Sequence, residues 1–332
     1  MQEKPKFERP DIKVIGPISE EKKNEYKKNI SDNFGEKHYE QLSENQRKIL
    51  ESHEYKKEPY EKLVIQKSNE IINILVKDSG MTNFDISEQN IHIIPGSLYK
   101  EIKNDDSLGN AHQEKQFIII NADLLKDPLE RSSTIFHEIV HLKNFLAIDA
   151  QENSNKPRRK GLVVEPSFKT TEKTGHFNYF SGLNEAVVSE IEKIYFFDLI
   201  RSNPFLEKEY TWNSSKEAEH IKRKKAEELG IDSSEIISVD EKNSFKRFAY
   251  LDQRKVLYYV VEKIFTDNKE QFQSKDEIFK IFFNAHFNGN LLEISRLFEK
   301  SFGEGSFRIL GMMTSDTKSC RLVMNYLSKH EK

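Results

Sequence analysis

The sequence predicts an α+β protein in which helices pack on a small mixed sheet and a helical lobe follows. Between residues 60 and 200, short runs of β-branched and aromatic residues alternate with helical apolar patterns. After residue 200, apolar residues recur at helical spacing. These observations divide the chain into an N-terminal extension at 1–58, a domain at 59–200 and a helical C-terminal lobe at 201–332.

The N-terminal segment is dense in charge and has few apolar anchors. Two stretches, 22–29 and 37–51, have the composition of solvated helices, but they lack the apolar stripe with which a helix packs firmly. We therefore expect residues 1–58 to form a flexible extension. The functional alternative is a regulatory segment that lies over a cleft and limits access to it.

The elements of the middle domain begin at Tyr60. Apolar residues at helical spacing predict a helix that Asp78-Ser79-Gly80 ends. Strands are expected at 90–95, 108–113 and 116–121, of which the last is the most apolar. A new helix is expected at Pro128, because proline suits the first helical turn and acidic neighbours suit its positive end.

The chain beyond residue 142 returns to extended structure before it becomes helical. A polar stretch at 151–160 predicts a loop, and short strands at 161–164 and 176–180 predict a hairpin. A second amphipathic helix is expected from Gly182. Further helices are predicted in the C-terminal lobe at 215–229, 250–265, 275–287, 291–302 and 315–327.

The run His137-Glu138-Ile139-Val140-His141 has the clearest chemistry in the chain. Two histidines four residues apart lie on one face of a helix, where they can bind one metal ion. Glu138 is close enough to polarise a water held on that metal. Because the surrounding residues are apolar, we expect a buried helix whose imidazoles need a partner. Zn²⁺ is one such partner; backbone carbonyls are the alternative.

The identity of a third ligand decides the type of metal site. A catalytic zinc ion usually has three protein ligands and keeps a fourth position for water. An extended histidine motif would place a ligand at position 147, which is Ala147. Our choice is Glu185, which begins the second helix and has apolar helical neighbours. Four other candidates remain open, although charged side chains are mostly exposed: Glu165, His176, Glu190 and Glu192.

His137-Glu138-x-x-His141 and the later Leu183-Asn184-Glu185-Ala186 resemble the motifs of gluzincin metallopeptidases, particularly the compact bacterial minigluzincin-like proteins. The resemblance covers about residues 60–200 and is specific at these two motifs. It implies a zincin-like fold in which His137, His141 and Glu185 bind Zn²⁺ and Glu138 is the general base.

The same resemblance carries two further implications. The strand around Gly109 to His112 would line the substrate cleft. Many gluzincins also have an acidic residue four positions after the ligand glutamate, bonded to the first histidine. This chain has Ser189 at that position, with Glu190 next to it, so it departs from the family pattern there.

Composition limits the other function classes. The 332 residues include 52 basic and 55 acidic side chains, a formal net charge of −3, without the basic excess that nucleic-acid binding requires. The single cysteine, Cys320, rules out an internal disulfide and fits a reducing compartment. Neither a signal segment nor a run of membrane-spanning length is visible. We therefore expect a cytoplasmic protein without nucleic-acid or membrane partners; the sequence does not specify its oligomeric state.

The function expected from the sequence is hydrolysis of a peptide or protein substrate by zinc-activated water. The resemblance also implies that a tyrosine or histidine of the helical lobe stabilises the oxyanion. Tyr250, Tyr258 and His286 are available, but nothing in their spacing singles one out, and a structural role is the alternative for each. One alternative is a zinc-binding scaffold without turnover, and another is an interaction protein in which the motif is accidental. Glu138 favours turnover, because a purely structural metal site does not need an adjacent free carboxylate.

Overall fold

The structure of the protein is a computed structural model that describes residues 9–32, 42–103, 107–151, 154–166, 178–240, 242 and 244–329. The described residues form an α+β fold. The strands are β1 (Ile12–Ile15), β2 (Ile91–Ile94), β3 (Gly109–His112), β4 (Phe117–Asn121), β5 (Leu146–Gln151), β6 (Ser154–Lys160), β7 (Val163–Val164), β8 (Ile236–Val239) and β9 (Phe245–Arg247). The helices before residue 202 are α1 (Glu20–Ser31), α2 (Glu44–His53), α3 (Pro59–Asp78), α4 (Gly96–Lys103), α5 (Pro128–Leu142) and α6 (Ser181–Arg201). Those of the C-terminal lobe are α7 (Glu207–Asn213), α8 (Lys216–Leu229), α9 (Leu251–Asp267), α10 (Lys275–Asn288), α11 (Leu291–Phe302), α12 (Ser306–Leu310) and α13 (Thr317–Leu327).

A three-stranded sheet of order β2-β4-β3 lies beside α5. Strand β4 is buried throughout, and it pairs in parallel with β2 and antiparallel with β3. The three strands predicted between residues 90 and 121 are therefore confirmed. Asn121 N donates to Leu108 O, so the alternation of an antiparallel ladder turns the main-chain groups of Gly109 and Ala111 away from β4.

Helix α5 begins where the sequence predicts it. Asp127 caps it by accepting hydrogen bonds from the backbone N–H groups of Leu129 and Glu130, and Pro128 occupies the first turn. Every residue from Ser132 to Leu142 is buried. The helix packs against α3, α6 and the sheet, so its histidines lie within the protein rather than on its surface.

Helix α6 begins one residue before the predicted position, after Phe180 in a left-handed conformation. Two hydrogen bonds fix this start to the C-terminal lobe: Phe180 N donates to Gly311 O, and Gly182 N donates to Met313 O. Gly182 is packed so closely there that a Cβ atom would lie 2.4 Å from Thr314 O. The first turn of α6 is thereby placed by a segment far along the chain.

A second sheet has the order β1-β5-β6-β7. The loop predicted at 151–160 is wrong: residues 154–160 form β6, which pairs antiparallel with β5. Strand β6 is held by main-chain pairing with β5, and its Arg159 lies over the ring of Phe145. Because an apolar face does not hold this strand, its sequence lacks the apolar alternation that marks a buried strand. In the predicted hairpin, β7 is present and Val164 bridges Tyr179, while 167–177 lie outside the described residues.

The N-terminal segment, expected as a flexible extension, contributes elements to this fold in its described parts. Strand β1 pairs in parallel with β5, and α1 packs on β1. Helix α2 contacts β2, which lies at the opposite edge of its sheet from β3.

The C-terminal lobe contains all five predicted helices, as α8, α9, α10, α11 and α13. The sequence missed the short α7 and α12 and the β8–β9 hairpin. One hydrophobic cluster runs from α3 through α5 and α6 to α13, and α6 itself crosses residue 200. Among the described residues, no helix combines the length and apolar character needed to cross a bilayer.

Candidate metal centre

Helices α5 and α6 bring the three predicted metal ligands together. His137 and His141 lie one turn apart on α5, and their Nε2 atoms are 3.1 Å apart. Glu185 lies in the first turn of α6, and its Oε2 is 3.5 Å from Nε2 of His137 and 3.2 Å from Nε2 of His141. Three potential donor atoms thus face one point.

These separations fit a tetrahedral metal site. With metal–ligand distances of about 2.0–2.1 Å, the ligand atoms of a tetrahedral zinc ion are about 3.3 Å apart. The three measured distances, 3.1, 3.2 and 3.5 Å, lie around that value. Among the described residues, these three form the group of His, Cys, Asp and Glu side chains whose ligand atoms are close enough to hold a metal ion.

Burial of this cluster carries a desolvation penalty unless the charges of its members are balanced. His137 and His141 are each 8% exposed, and the adjacent Glu138 is 7% exposed. The ion pairs recorded for Glu185 join it to the two imidazoles. In the described part of the chain, the imidazoles contact each other and the side chains of Glu185, Glu192 and Asn184. The alternative of core histidines bonded to backbone carbonyls would require different partners.

Protonation follows from this arrangement when no metal ion is bound. Burial opposes a charge on His137, but hydrogen bonds to Glu185 and Glu192 raise its pKa well above the usual value. Burial likewise opposes a charge on Glu185, but the charge of His141 and hydrogen bonds from both rings hold the pKa of Glu185 far below the usual value. These shifts favour a charged imidazole on His137 beside an ionised Glu185 when no metal ion is bound.

Glu138 is not one of the three donors, and it packs against the edge strand β3. Its carboxylate accepts a hydrogen bond from the backbone N–H of Ala111. Burial raises its pKa, although the charges of His141 and His137 oppose that shift. Gly109 packs so tightly here that a Cβ atom would lie 2.9 Å from Cγ of Glu138. The strand therefore fixes this side chain between the cluster and the open edge of the sheet.

Glu192, and not Ser189, is the α6 residue that contacts Nδ1 of His137. Nδ1 of His137 is 2.9 Å from Glu192 Oε2, and Ser133 Oγ donates to the other carboxylate oxygen. Since a carboxylate only accepts, Nδ1 carries the proton and Nε2 is left to bind a metal ion. The hydroxyl of Ser189 is buried and has no hydrogen-bond partner among the described residues.

The second nitrogen of His141 faces an amide. Asn184 Nδ2 lies 3.5 Å from Nδ1 of His141, while Asn184 Oδ1 accepts hydrogen bonds from Leu162 N and from Nδ1 of His286. Burial lowers the pKa of His286 to about 3, so this ring is neutral. His286 therefore holds the amide of Asn184 from the side of Oδ1.

Tyr250 is the aromatic residue of the C-terminal lobe that reaches the cluster. Its ring stacks on His137 with centroids 5.9 Å apart, and its hydroxyl hydrogen-bonds Glu185. The charge of Glu185, together with burial, raises the pKa of Tyr250, so the phenol remains a donor. The backbone of Tyr250 has a positive φ of 55°, which is uncommon for a residue with a Cβ and recurs at functional sites.

Three of the other candidate ligands, Glu165, Glu190 and Glu192, are described by the structure and do not belong to the metal-sized group. Glu190 accepts a hydrogen bond from the hydroxyl of Tyr258, on another face of α6. Glu165 lies 3.5 Å from Nζ of Lys160. Glu192 contacts His137 from the side opposite the other donor atoms. His176 lies outside the described residues.

Comparisons with protein-family models, with curated proteins and with solved structures found no match for this chain.

Proposed function

We propose that the protein is a zinc-dependent peptidase with a zincin-like arrangement of sheet and active-site helix. One observation carries the proposal: His137, His141 and Glu185 offer three donor atoms at tetrahedral spacing, next to a carboxylate that is not one of them. A structural zinc site uses four protein ligands, whereas three ligands leave a position for water. Glu138 is the carboxylate next to this cluster that would remain free to act on the water.

The chemistry that a bound zinc ion would supply is a lower pKa for its water, toward about 7, and polarisation of the substrate carbonyl. Glu138 accepts one proton as the water oxygen bonds to the carbonyl carbon, and it donates that proton to the amine when the C–N bond breaks. The hydrogen bond from Ala111 N and the contact with Gly109 hold the carboxylate in place for both transfers.

Tyr250 would supply a hydrogen-bond donor for the oxygen of the reacting carbonyl, because its hydroxyl lies beside Glu185 within the cluster. Its raised pKa keeps the phenol protonated, and its ring is held against His137. A donor already oriented in a buried site stabilises developing negative charge without further reorganisation. Tyr258 donates to Glu190 instead, so it has a structural partner outside the site.

The substrate class follows from β3. An extended peptide adds to an open sheet edge through main-chain hydrogen bonds, which tolerate many side-chain sequences. The main-chain groups of Gly109 face away from β4, and the strand lies directly beside Glu138. A peptide or unfolded protein segment paired with this edge would present its carbonyls to the cluster.

The test compares wild type with Glu138→Gln. We expect both proteins to bind one Zn²⁺ per chain by native mass spectrometry, and only wild type to cleave denatured casein in a chelator-sensitive manner. Hydrolysis by the variant at the wild-type rate would contradict the role of Glu138. Zinc binding without cleavage of casein or of a mixed peptide library by wild type would favour a non-catalytic scaffold. No zinc binding would favour an interaction protein.

A further inference from the structure

Arg9, a buried residue of the N-terminal segment, lies at the C-terminal end of α5, the helix that carries His137 and His141. Arg9 is 2% exposed, and its Nη1 donates to Leu142 O over 3.0 Å. Its Nη2 donates to Asn144 O. The last carbonyls of a helix have no partner within the helix, so a cation at this end satisfies them and opposes the negative end of the dipole.

The position of Arg9 is itself fixed by contacts on several sides. Its guanidinium lies 5.6 Å from the centroid of the Phe84 ring. Ser31 Oγ donates to the carbonyl of Arg9 over 2.6 Å. Burial lowers the pKa of Arg9 to about 9, which leaves it charged at neutral pH.

The strand that follows Arg9 ties the segment to the same part of the fold. Thr82 N donates to Asp11 over 2.8 Å, and β1 pairs along β5, which begins four residues after α5 ends. The guanidinium therefore reaches α5 from a segment that is anchored through both its main chain and its side chains.

The turn that Arg9 holds carries His141. Leu142 follows His141 directly, and the carbonyl of His141 accepts hydrogen bonds of 3.4 Å from Asn144 N and from Gln113 Nε2. Arg9 on one side and Gln113 on the other thus fix the last turn of α5. A shift of this turn would move Nε2 of His141 relative to the other two donor atoms.

We propose that Arg9 is a positioning residue for the metal centre, and that the segment carrying it is part of the site's scaffold. This inference rests on the proposed function, because it concerns how well the same three ligands hold Zn²⁺. On this inference, residues 9–15 support the site instead of covering a cleft, so their loss weakens Zn²⁺ binding.

The experiment compares Arg9→Met with Lys13→Met in the full chain. Lys13 is an exposed lysine on β1, so the control removes a cation from the same segment without touching α5. We measure the Zn²⁺ dissociation constant by chelator competition, and the melting temperature with chelator present. Arg9→Met should raise the dissociation constant about tenfold, the lower end of what loss of an outer partner of a ligand causes. Lys13→Met should leave it unchanged.

A spectroscopic measurement separates positioning from a loss of stability alone. The visible absorption of Co²⁺ in the site depends on ligand geometry and should change in Arg9→Met but not in Lys13→Met. Arg9→Lys, which keeps the charge and loses the two-pronged contact, should give an intermediate dissociation constant. Equal Zn²⁺ affinity and equal Co²⁺ spectra in both methionine variants would overturn the inference and leave the proposed function intact.

A measurement on wild type covers the case in which the Arg9 variants do not fold. Because linkage is reciprocal, Zn²⁺ should slow amide hydrogen exchange in residues 9–16 as well as at the end of α5. Unchanged exchange in residues 9–16 on zinc binding would contradict the inference. Failure of wild type to bind Zn²⁺ would overturn the proposed function and this inference together.

Discussion

Two faces of α6 carry carboxylates that are largely removed from water, and they differ in how charge is balanced. Glu190 and Glu192 are buried, and Glu185 is half-buried. The metal-centre face consists of Glu185 and Glu192, which contact the two histidines of α5. The ion-pair face consists of Glu190, which lies 3.8 Å from Nη1 of Arg254 and accepts from Tyr258. Arg254 also pairs with Glu235, and Lys193 lies 2.6 Å from the same carboxylate.

A carboxylate removed from water needs a compensating positive charge, and the two faces supply that charge in different ways. On the ion-pair face, a fully buried guanidinium supplies a permanent positive charge from within the chain. On the metal-centre face, the recorded ion-pair partners in the described structure are imidazoles, whose charge depends on a proton. A divalent cation would replace that proton and balance the face at neutral pH.

The largest test of this contrast exchanges one carboxylate on each face for an amide. Glu185→Gln should weaken Zn²⁺ binding by more than about 100-fold, beyond the effect of losing an outer partner, because it removes an anionic ligand. Glu190→Gln should bind Zn²⁺ like wild type, since its partners are Tyr258 and Arg254. Chelator competition measures both constants. Equal loss in the two variants would break the comparison.

The second test reverses the roles of the faces. Arg254→Met removes the buried guanidinium beside Glu190 and leaves Glu235 with Lys193 alone. Removing one partner of a buried pair destabilises a protein by about 3–5 kcal/mol. Arg201→Met removes an exposed pair with Asp198 and should cost less than about 1 kcal/mol. Urea denaturation with chelator gives both values. If the ion-pair face is purely structural, Zn²⁺ affinity stays at the wild-type value in the folded Arg254 variant.

A third test stays on the metal-centre face. Glu192→Gln keeps an acceptor for Nδ1 of His137 but loses its charge, so Zn²⁺ affinity should fall about 10- to 100-fold. Ser189→Ala is the matched control, because its hydroxyl has no partner among the described residues and should not affect the metal. A larger effect of Ser189→Ala than of Glu192→Gln would return the supporting role to position 189.

These tests also mark where the sequence was sufficient. The spacing of His137 and His141 and the apolar neighbours of Glu185 predicted three residues that the structure brings together. The sequence offers Glu192 as a candidate ligand, but its place seven residues after Glu185, on the same helix face, also suits a residue that supports the site. That spacing was the signal for a residue that supports the site.

The remaining differences depend on contacts between distant segments. Strand β6 is polar because main-chain pairing rather than an apolar face holds it, so no alternation marked it. Tyr250 comes from a helix start 65 residues after Glu185, and nothing in its local sequence distinguishes it from Tyr258. Arg9 contacts the end of α5 across more than 130 residues of sequence. The charge-dense composition of its own segment does not predict such a contact.

A fourth test uses pH to separate proton from metal on the metal-centre face. His137 has a raised pKa without metal, so the stability its proton confers is complete below about 6.5 and is lost as pH rises through the higher folded value. Zn²⁺ must displace that proton. The zinc-induced gain in stability should therefore grow with pH, by up to about 1.4 kcal/mol per unit for one proton.

Melting curves with Zn²⁺ and with chelator between pH 6 and 9 measure this gain. The chelated protein should lose stability toward the upper end, while the zinc-loaded protein should not. A gain independent of pH across this range would mean that no proton leaves His137 on metal binding. The hydrogen bonds to Glu185 and Glu192 would then not describe the protonation state that zinc meets.

The smallest expected effect concerns the position of Glu138 rather than charge balance. Gly109→Ala places a methyl group 2.9 Å from Cγ of Glu138 and from Cγ2 of Thr134, so one of these side chains must move by a few tenths of an ångström. Because the base must stay within hydrogen-bond reach of the water, kcat should fall about three- to tenfold.

Asn110→Ala is the control, since neighbouring strand residues point to opposite faces of the sheet. Zn²⁺ affinity should be unchanged in both, because Glu138 is not a ligand. A Gly109→Ala protein with lower Zn²⁺ affinity and wild-type kcat would show that β3 supports the histidines instead of the base.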